Sequence, residues 1–367
     1  MPLSNVDPAQ YQQLLDDKAK RITAQFSEFE PPVLDVFDSP VLHFRVRAEF
    51  KIWHEGDDSF YAMFNKEQPK QPVRIDHFPI GAEIINRVMV ELLSAIKGSS
   101  LLRHRLFQIE FLSTLSQQVL VSLIYHKPLD DSWLQLAEQL QQQLGIHIIG
   151  RSKKQRLVLN QDYVTETLTV NEREYHFQQV ENSFTQPNAC VNQKMLSWAA
   201  NNAKHLTGDL VELYCGNGNF TCVLAQHFDK VLATEISKTS VKSANYNFDL
   251  NGIENIKIAR MSSEDFSSAL AGARAFRRLK DIDLNSYNFS TVLVDPPRAG
   301  LDKLTEDLIT RFDNILYISC NPNTLHKNLQ HICKTHEIKK FAIFDQFPYT
   351  DHIECGVMLS RRQPRSQ

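Results

Sequence analysis

The stretch Asp209-Leu210-Val211-Glu212-Leu213-Tyr214-Cys215-Gly216-Asn217-Gly218-Asn219-Phe220 decides the fold of this chain. An apolar run of strand length gives way to a turn with two glycines, and a helical pattern follows. The next apolar run, residues 230–234, ends at Glu235, about twenty positions after the turn begins. Strand, glycine turn, helix, strand and terminal acid open a doubly wound parallel sheet that takes a nucleotide-like ligand at its carboxyl edge. Only Gly216 and Gly218 are present, so the third glycine of a pyrophosphate-binding turn is missing. A shorter turn followed by a ribose-binding acid suits a nucleoside without phosphates, such as S-adenosylmethionine. The plain alternative is a tight strand–helix turn with a surface glutamate.

Downstream, apolar runs at residues 256–259, 291–294, 314–319 and 355–359 read as further strands between helices. Upstream the pattern differs. Residues 8–26 carry Tyr11, Leu14, Leu15 and Ile22 at helical spacing. Residues 43–53 alternate, with Phe44, Val46, Ala48, Phe50 and Ile52 on one face and Arg45, Arg47, Glu49, Lys51 and Trp53 on the other. A turn at 54–58 leads to a strand at 59–64. Helices are expected at 82–97 and 131–144, and strands at 106–112, 119–125, 146–149 and 157–160. The expected class is α/β, with an α+β N-terminal domain (1–180) and a doubly wound, Rossmann-like C-terminal domain (181–367).

The 367 residues suit two cores, and 42% hydrophobic with 23% charged residues is ordinary for a globular protein. A net charge of −3 gives no global nucleic-acid signature, so any polyanion surface has to be local. The start, Met1 to Asp7, lacks the basic and apolar regions of a signal peptide, and no apolar run reaches membrane-spanning length. The six cysteines all lie at or after Cys190, without a C-x-x-C pair. Neither a metal site nor a disulfide framework is expected, and a cytoplasmic setting is.

Four loops carry chemistry. Asp295-Pro296-Pro297-Arg298-Ala299-Gly300 follows a strand where open sheets bind ligands, and its prolines stiffen the loop that aims Asp295. Amino methyltransferases use an Asx-Pro-Pro-aromatic loop, but Arg298 takes the aromatic's place, which points away from exocyclic amines. Cys320, in Ser319-Cys320-Asn321-Pro322, presents a thiol at a strand end, whereas Cys222 and Cys333 read as inert small hydrophobes. Asp345 to Glu354 holds three candidate bases, Asp351, His352 and Glu354, which the residues alone do not rank. Gln186, in Phe184-Thr185-Gln186-Pro187-Asn188, offers donor and acceptor for a base edge, and a helix-capping loop is the equal alternative.

Together these motifs resemble the RNA uracil-5 methyltransferases, through Asp-Pro-Pro-Arg-small-Gly at 295–300 and Asp-x-Phe-Pro-x-Thr-x-His-x-Glu at 345–354. The likeness covers the whole chain and, within that family, is nearest to the branch acting on tRNA. It implies methylation of carbon 5 of uridine 54 in the T-loop, with S-adenosylmethionine as methyl donor and Cys320 forming a covalent adduct to uracil. It makes Cys320 the nucleophile and Glu354 the proton acceptor. Gln186, Tyr214, Asn219, Glu235 and Asp295 become donor-binding residues. The expected partner is the tRNA T-arm, with a tRNA-like loop of tmRNA as a further candidate and no obligate protein partner. Relatives acting on rRNA carry four N-terminal cysteines for an iron–sulfur cluster; none precedes Cys190, so no cluster is expected. Arg45, Arg47, Lys51, Trp53 and Phe107 are candidate RNA contacts, with basic patches at 103–105 and 151–154. The competing readings are an rRNA uracil-5 methyltransferase and a non-catalytic RNA-binding or remodelling protein.

Overall fold

The computed structural model describes residues 6–64, 70–272 and 276–363. Met1 to Asn5, read above for a signal peptide, lie outside them. The chain forms two compact units that do not part at a single point near residue 180. One comprises Met1–Pro8, Pro40–Thr167 and Gln178–Ala189, and the other Ala9–Ser39, Leu168–Phe177 and Cys190–Gln367. The first helix, α1 (Tyr11–Gln25), therefore belongs with the C-terminal sheet. Its Ile22 and the following Phe26 join that sheet's core, where the Phe26 ring lies 4.9 Å from that of Phe341.

The second unit is built on an eight-stranded sheet. Its strands are β1 (Asp35–Phe37), β2 (Asp209–Leu213), β3 (Val231–Thr234), β4 (Ile256–Ala259), β5 (Phe289–Val294), β6 (Asn314–Ser319), β7 (His336–Phe344) and β8 (Glu354–Arg361). They lie in the order β1-β7-β8-β6-β5-β2-β3-β4. All pairings are parallel except those of β8, which runs antiparallel between β6 and β7. Buried on both faces, the central strands read as continuous apolar runs, and this is why the sequence locates them. The helices are α2 (Ala189–Ala203), α3 (Asn219–Leu224), α4 (Lys238–Leu250), α5 (Ser263–Leu270), α6 (Lys303–Ile309) and α7 (Pro322–Ile332).

Strands β1 and β7 have no counterpart in the sequence reading. β1 has three residues, and the first half of β7, His-Glu-Ile-Lys-Lys, is partly exposed and shows no clean alternation. The pair Tyr163–Val170 and Arg173–Val180 was also unforeseen.

In the first unit a seven-stranded sheet takes the order Pro72–Arg74, Asp58–Phe64, Arg47–Glu55, Leu106–Ser113, Val119–Tyr125, His147–Ser152, Gln155–Val158. The alternating strand starts at Arg47 rather than residue 43, because His43 adopts φ 56° and Arg45 makes only isolated bridges. Phe44, Val46, Ala48, Phe50 and Ile52 are buried as the alternation requires. Among the described residues no helix is long and apolar enough to cross a membrane.

At the edge of the second sheet away from the strand carboxyl ends, Asp209 ties three strands together. Its carboxylate accepts from Lys230 N (2.9 Å) just before β3 and from Asn288 N (2.6 Å) just before β5. Asp209→Ala leaves two amides beside a lost charged acceptor, so unfolding should become easier by about 2–3 kcal/mol. Denaturant titration checks this.

Candidate active site

The glycine turn follows β2. Tyr214 leaves the strand with φ 63°, a sparsely populated left-handed conformation for a bulky residue, and its hydroxyl shares a 2.6 Å hydrogen bond with Ser263 Oγ. Gly218 has φ 84°, and a Cβ there would meet Phe248 Cε1 at 2.7 Å, so both backbone and space require glycine. A Cβ at Gly216 would meet nothing within 4 Å, so the turn faces open space on that side.

Glu235, just past β3, reaches across this turn. Its Oε2 accepts from Gly216 N (3.0 Å) and its Oε1 from Ser237 N (2.7 Å). Each oxygen keeps a lone pair for a further donor such as a ribose hydroxyl. Asn219, first residue of α3, forms a reciprocal amide pair with Asn192 of α2, at 2.9 and 3.0 Å.

The other end of the site lies at the carboxyl ends of β5 and β6. Val294 pairs with Tyr317, so Asp295 emerges one step beyond that pair. Ser319 pairs with Cys355 on antiparallel β8, which puts Cys320, one residue later, beside Glu354, one residue earlier. The two loops are laced together by α7. Asn321 caps it through Asn323 N (3.1 Å) while its Nδ2 donates to Arg298 O (3.0 Å). Asn328 Oδ1 accepts from Tyr317 Oη (2.8 Å) and Leu301 N (3.2 Å). Gly300 (φ 79°) packs so tightly on this helix that a Cβ would lie 2.9 Å from Thr324 Cβ.

The electrostatics are those of several acids in a dry place. Glu354 is 5% exposed, and its carboxyl makes no hydrogen bond to the described residues. Burial pushes it up to about 8, with the charge of Asp295 adding to the effect. Asp295 is part-exposed at the strand end, yet desolvation by the packed atoms around it pushes it up to about 7. The half-buried Cys320 thiol is pushed up to about 11 by burial first, then by Glu354 and Asp295, with Arg298 opposing.

One residue the sequence reading passed over belongs to this group. Glu212, 1% exposed within β2, is pushed up to about 8 by burial with Asp295 adding to it, and its Oε2 has no partner. A carboxylate inside an otherwise apolar parallel strand was the available signal.

The second unit thus brings together Tyr214, Asn219 and Glu235 around the turn, and Asp295, Cys320 and Glu354 at the strand ends. Asp351 and His352 are exposed, unlike Glu354. Gln186 belongs to the first unit. Its segment is held there by Val46 N donating to Pro187 O (2.9 Å) and by Arg47 Nη1 donating to Ser183 O and Thr185 Oγ1. Arg47 and Arg45 are thereby engaged internally, Arg45 Nε donating to Arg47 O at 2.9 Å. Arg103 secures the hairpin turn at Gly56 and Asp58, and Arg151 pairs with Glu181. Lys51 sits 3.9 Å from the centre of the Phe107 ring, which stacks on His126 at 4.2 Å, and Trp53 is exposed. Among the described residues no three His, Cys, Asp or Glu side chains group as metal ligands.

The chain matches the model of the tRNA (uracil-5-)-methyltransferase family over residues 10–362. It is 58% identical to the tRNA/tmRNA (uracil-C(5))-methyltransferase of Saccharophagus degradans, over 98% of this chain and 99% of that protein. The enzyme of the same name from Cellvibrio japonicus is 57% identical, over 96% of each. Among solved structures, the tRNA (uracil-54, C5)-methyltransferase of Pyrococcus abyssi, in complex with S-adenosyl-L-homocysteine, superposes with a TM-score of 0.70 at 19% identity, covering 95% of this chain and 83% of that one. A match of this extent leaves one conclusion, that the chain belongs to the tRNA (uracil-5-)-methyltransferase family.

Proposed function

We propose that this protein methylates carbon 5 of uridine 54 in the T-loop of tRNA, and the equivalent uridine of tmRNA, through a covalent adduct between Cys320 and the uracil ring. The observation that carries the chemistry is the register of β6 and β8, which sets a thiol beside a buried carboxyl at one sheet edge. The substrate assignment draws on the activity named for relatives above half identity over nearly the full chain.

The donor side fits S-adenosylmethionine. Open space over Gly216 and acceptor capacity left on Glu235 suit a nucleoside with ribose hydroxyl donors. When bound, the donor supplies a methyl group on a positively charged sulfonium, which carbon 5 takes up as the sulfur leaves neutral.

The protein's part begins with a weak nucleophile, because carbon 5 of uracil lacks electron density. The Cys320 thiolate adds to carbon 6, forming a C–S bond and moving the ring π-electrons to carbon 5 and the adjacent carbonyl. After methylation, carbon 5 carries both hydrogen and methyl. Glu354 takes that proton, the electrons reform the 5,6 double bond, and the C–S bond breaks to return the thiolate. A carboxyl raised to about 8 is well matched to accepting a proton near neutral pH. The thiol needs activation, and positive charge entering beside Glu354 and Asp295 lowers its pKa toward use. In the first unit, Lys51, Phe107, His126 and Trp53 offer a cation and aromatic faces for phosphate and unstacked bases.

Mass spectrometry of a T-arm hairpin, a tmRNA fragment and an rRNA fragment, each incubated with labelled donor, tests the substrate. Label should enter the first two as 5-methyluridine, and exclusive rRNA labelling would overturn the assignment. Cys320→Ala should abolish both turnover and any RNA–protein band on a denaturing gel. Glu354→Gln should slow turnover by about 10²–10⁴-fold while the band accumulates.

The raised carboxyls also bear on stability. Glu212, Asp295 and Glu354 hold protons more tightly folded than unfolded, so their contribution is fully present below their ordinary pKa values and is lost as pH rises through the folded ones. For Glu354 that window runs from 4.5 to about 8. Stability measured by denaturant across this range should fall less steeply in Glu354→Gln than in the native protein.

A further inference from the structure

We infer that Lys18, in a helix more than three hundred residues away in sequence, is a positioning residue that fixes Glu354 relative to Cys320. The inference rests on the reading of Glu354 as the proton acceptor. Phe344 at the end of β7 pairs with Glu354 at the start of β8, and Asp345 N donates to Phe37 O, so the register sets the backbone of Glu354, but the loop of residues 346–353 between them lies in no strand.

Helix α1 holds it instead. Lys18 Nζ donates to Asp345 Oδ1 (2.7 Å) and to Phe347 O (3.0 Å), gripping the segment by a side chain and by its backbone two residues on. Three residues along α1, Arg21 Nη2 donates to Asp351 O (2.8 Å). Tyr11 sets its ring edge-on to Tyr349 at 5.9 Å, and its hydroxyl accepts from Ser39 N at 2.7 Å. The far end of the helix grips the other catalytic loop. Gln25 Nε2 donates to Asn323 Oδ1 (2.9 Å), and Glu28, just past the helix, meets His326 Nε2 at 2.6 Å. Both residues lie in the first turns of α7, directly after Cys320. A single helix therefore bridges the thiol's loop and the carboxyl's loop.

The choice of residues favours geometry over stability. Side chains of Lys18 and Asp345 are 7% and 1% exposed. Lysine is rarely so buried, and a buried ion pair is seldom more stabilising than apolar residues of the same size. An ammonium offers three donors from one point, so it satisfies a carboxylate and a main-chain carbonyl together, which an apolar side chain cannot do. Misplacement of a reacting group by about 1 Å is enough to cost about 10²-fold in rate.

The test is the partition between trapped adduct and turnover, measured per folded molecule on T-arm RNA with S-adenosylmethionine. Lys18→Met should lower turnover by about 10–100-fold and raise the fraction of enzyme in the RNA-linked band, as a misplaced base would. Donor affinity should stay unchanged. Arg21→Ala, at an exposed position, should shift the partition the same way by less, and it decides the matter should Lys18→Met fail to fold. A merely structural role would lower the folded fraction and leave the partition of folded enzyme as in the native protein. That result for the folded variants, alongside accumulation in Glu354→Gln, overturns the inference and spares the assignment of Glu354. If Glu354→Gln itself accumulates no adduct, the assignment of the base fails and the role given to Lys18 fails with it.

Discussion

The antiparallel course of β8 between β6 and β7 is the constraint on which the site depends. In a parallel sheet every strand delivers its C-terminal end to the same edge, so Asp295 and Cys320 arrive there by topology alone. A parallel β8 would bring only its far end, near residue 361, to that edge. Reversing one strand instead brings its first residue, Glu354, into line with the residue that follows β6. The Ser319–Cys355 pair then fixes the spacing of thiol and carboxyl to a single register, and a slip of one residue would turn Glu354 to the opposite face.

Much of this was legible in the sequence because it is local. Doubly buried strands announce themselves as apolar runs, and the loops that end them carry unusual residue types at short spacing: Gly-x-Gly at 216–218, Pro-Pro at 296–297, Cys-Asn-Pro at 320–322. The motif residues of the second unit gather where the strand ends predict. What escaped was non-local or partly polar. Nothing in the periodicity of α1 says that it packs with a sheet two hundred residues onward, and Lys18 looks like any lysine on an amphipathic helix. Strand β7 hid behind its charged half. Glu212 was read as part of a strand rather than as a carboxyl inside one.

In the first unit, charge proved a poor guide without its partners. Arg47, Arg103 and Arg151 look alike in a list of cations, yet each spends donors on the protein's own carbonyls or carboxylates. Their work is to hold segments in place, and in the case of Arg47 that segment carries Gln186. Lys51 donates to the Gln108 side-chain carbonyl, yet it meets no carboxylate among the described residues and its ammonium also lies over the Phe107 ring. A cation paired with stacked rings keeps contact area for a base and charge for a phosphate, whereas a cation tied to a carboxylate keeps neither.

The crowding of acids in the second unit follows from the same logic of partners. Burial raises Glu212, Asp295, Glu354 and the Cys320 thiol, and the charge of Asp295 adds to the effect on the other three, with Glu354 also acting on Cys320. Such an arrangement is unfavourable in the free protein, since each charge formed opposes the next. It becomes favourable when a cation enters, because a single positive charge stabilises every ionised neighbour at once. In the proposed reaction the sulfonium is that cation, and it is lost at methyl transfer. That charge and the enolate's cancel together in the step, so the net charge around Glu354 is unchanged and its raised proton affinity rests on burial beside Asp295.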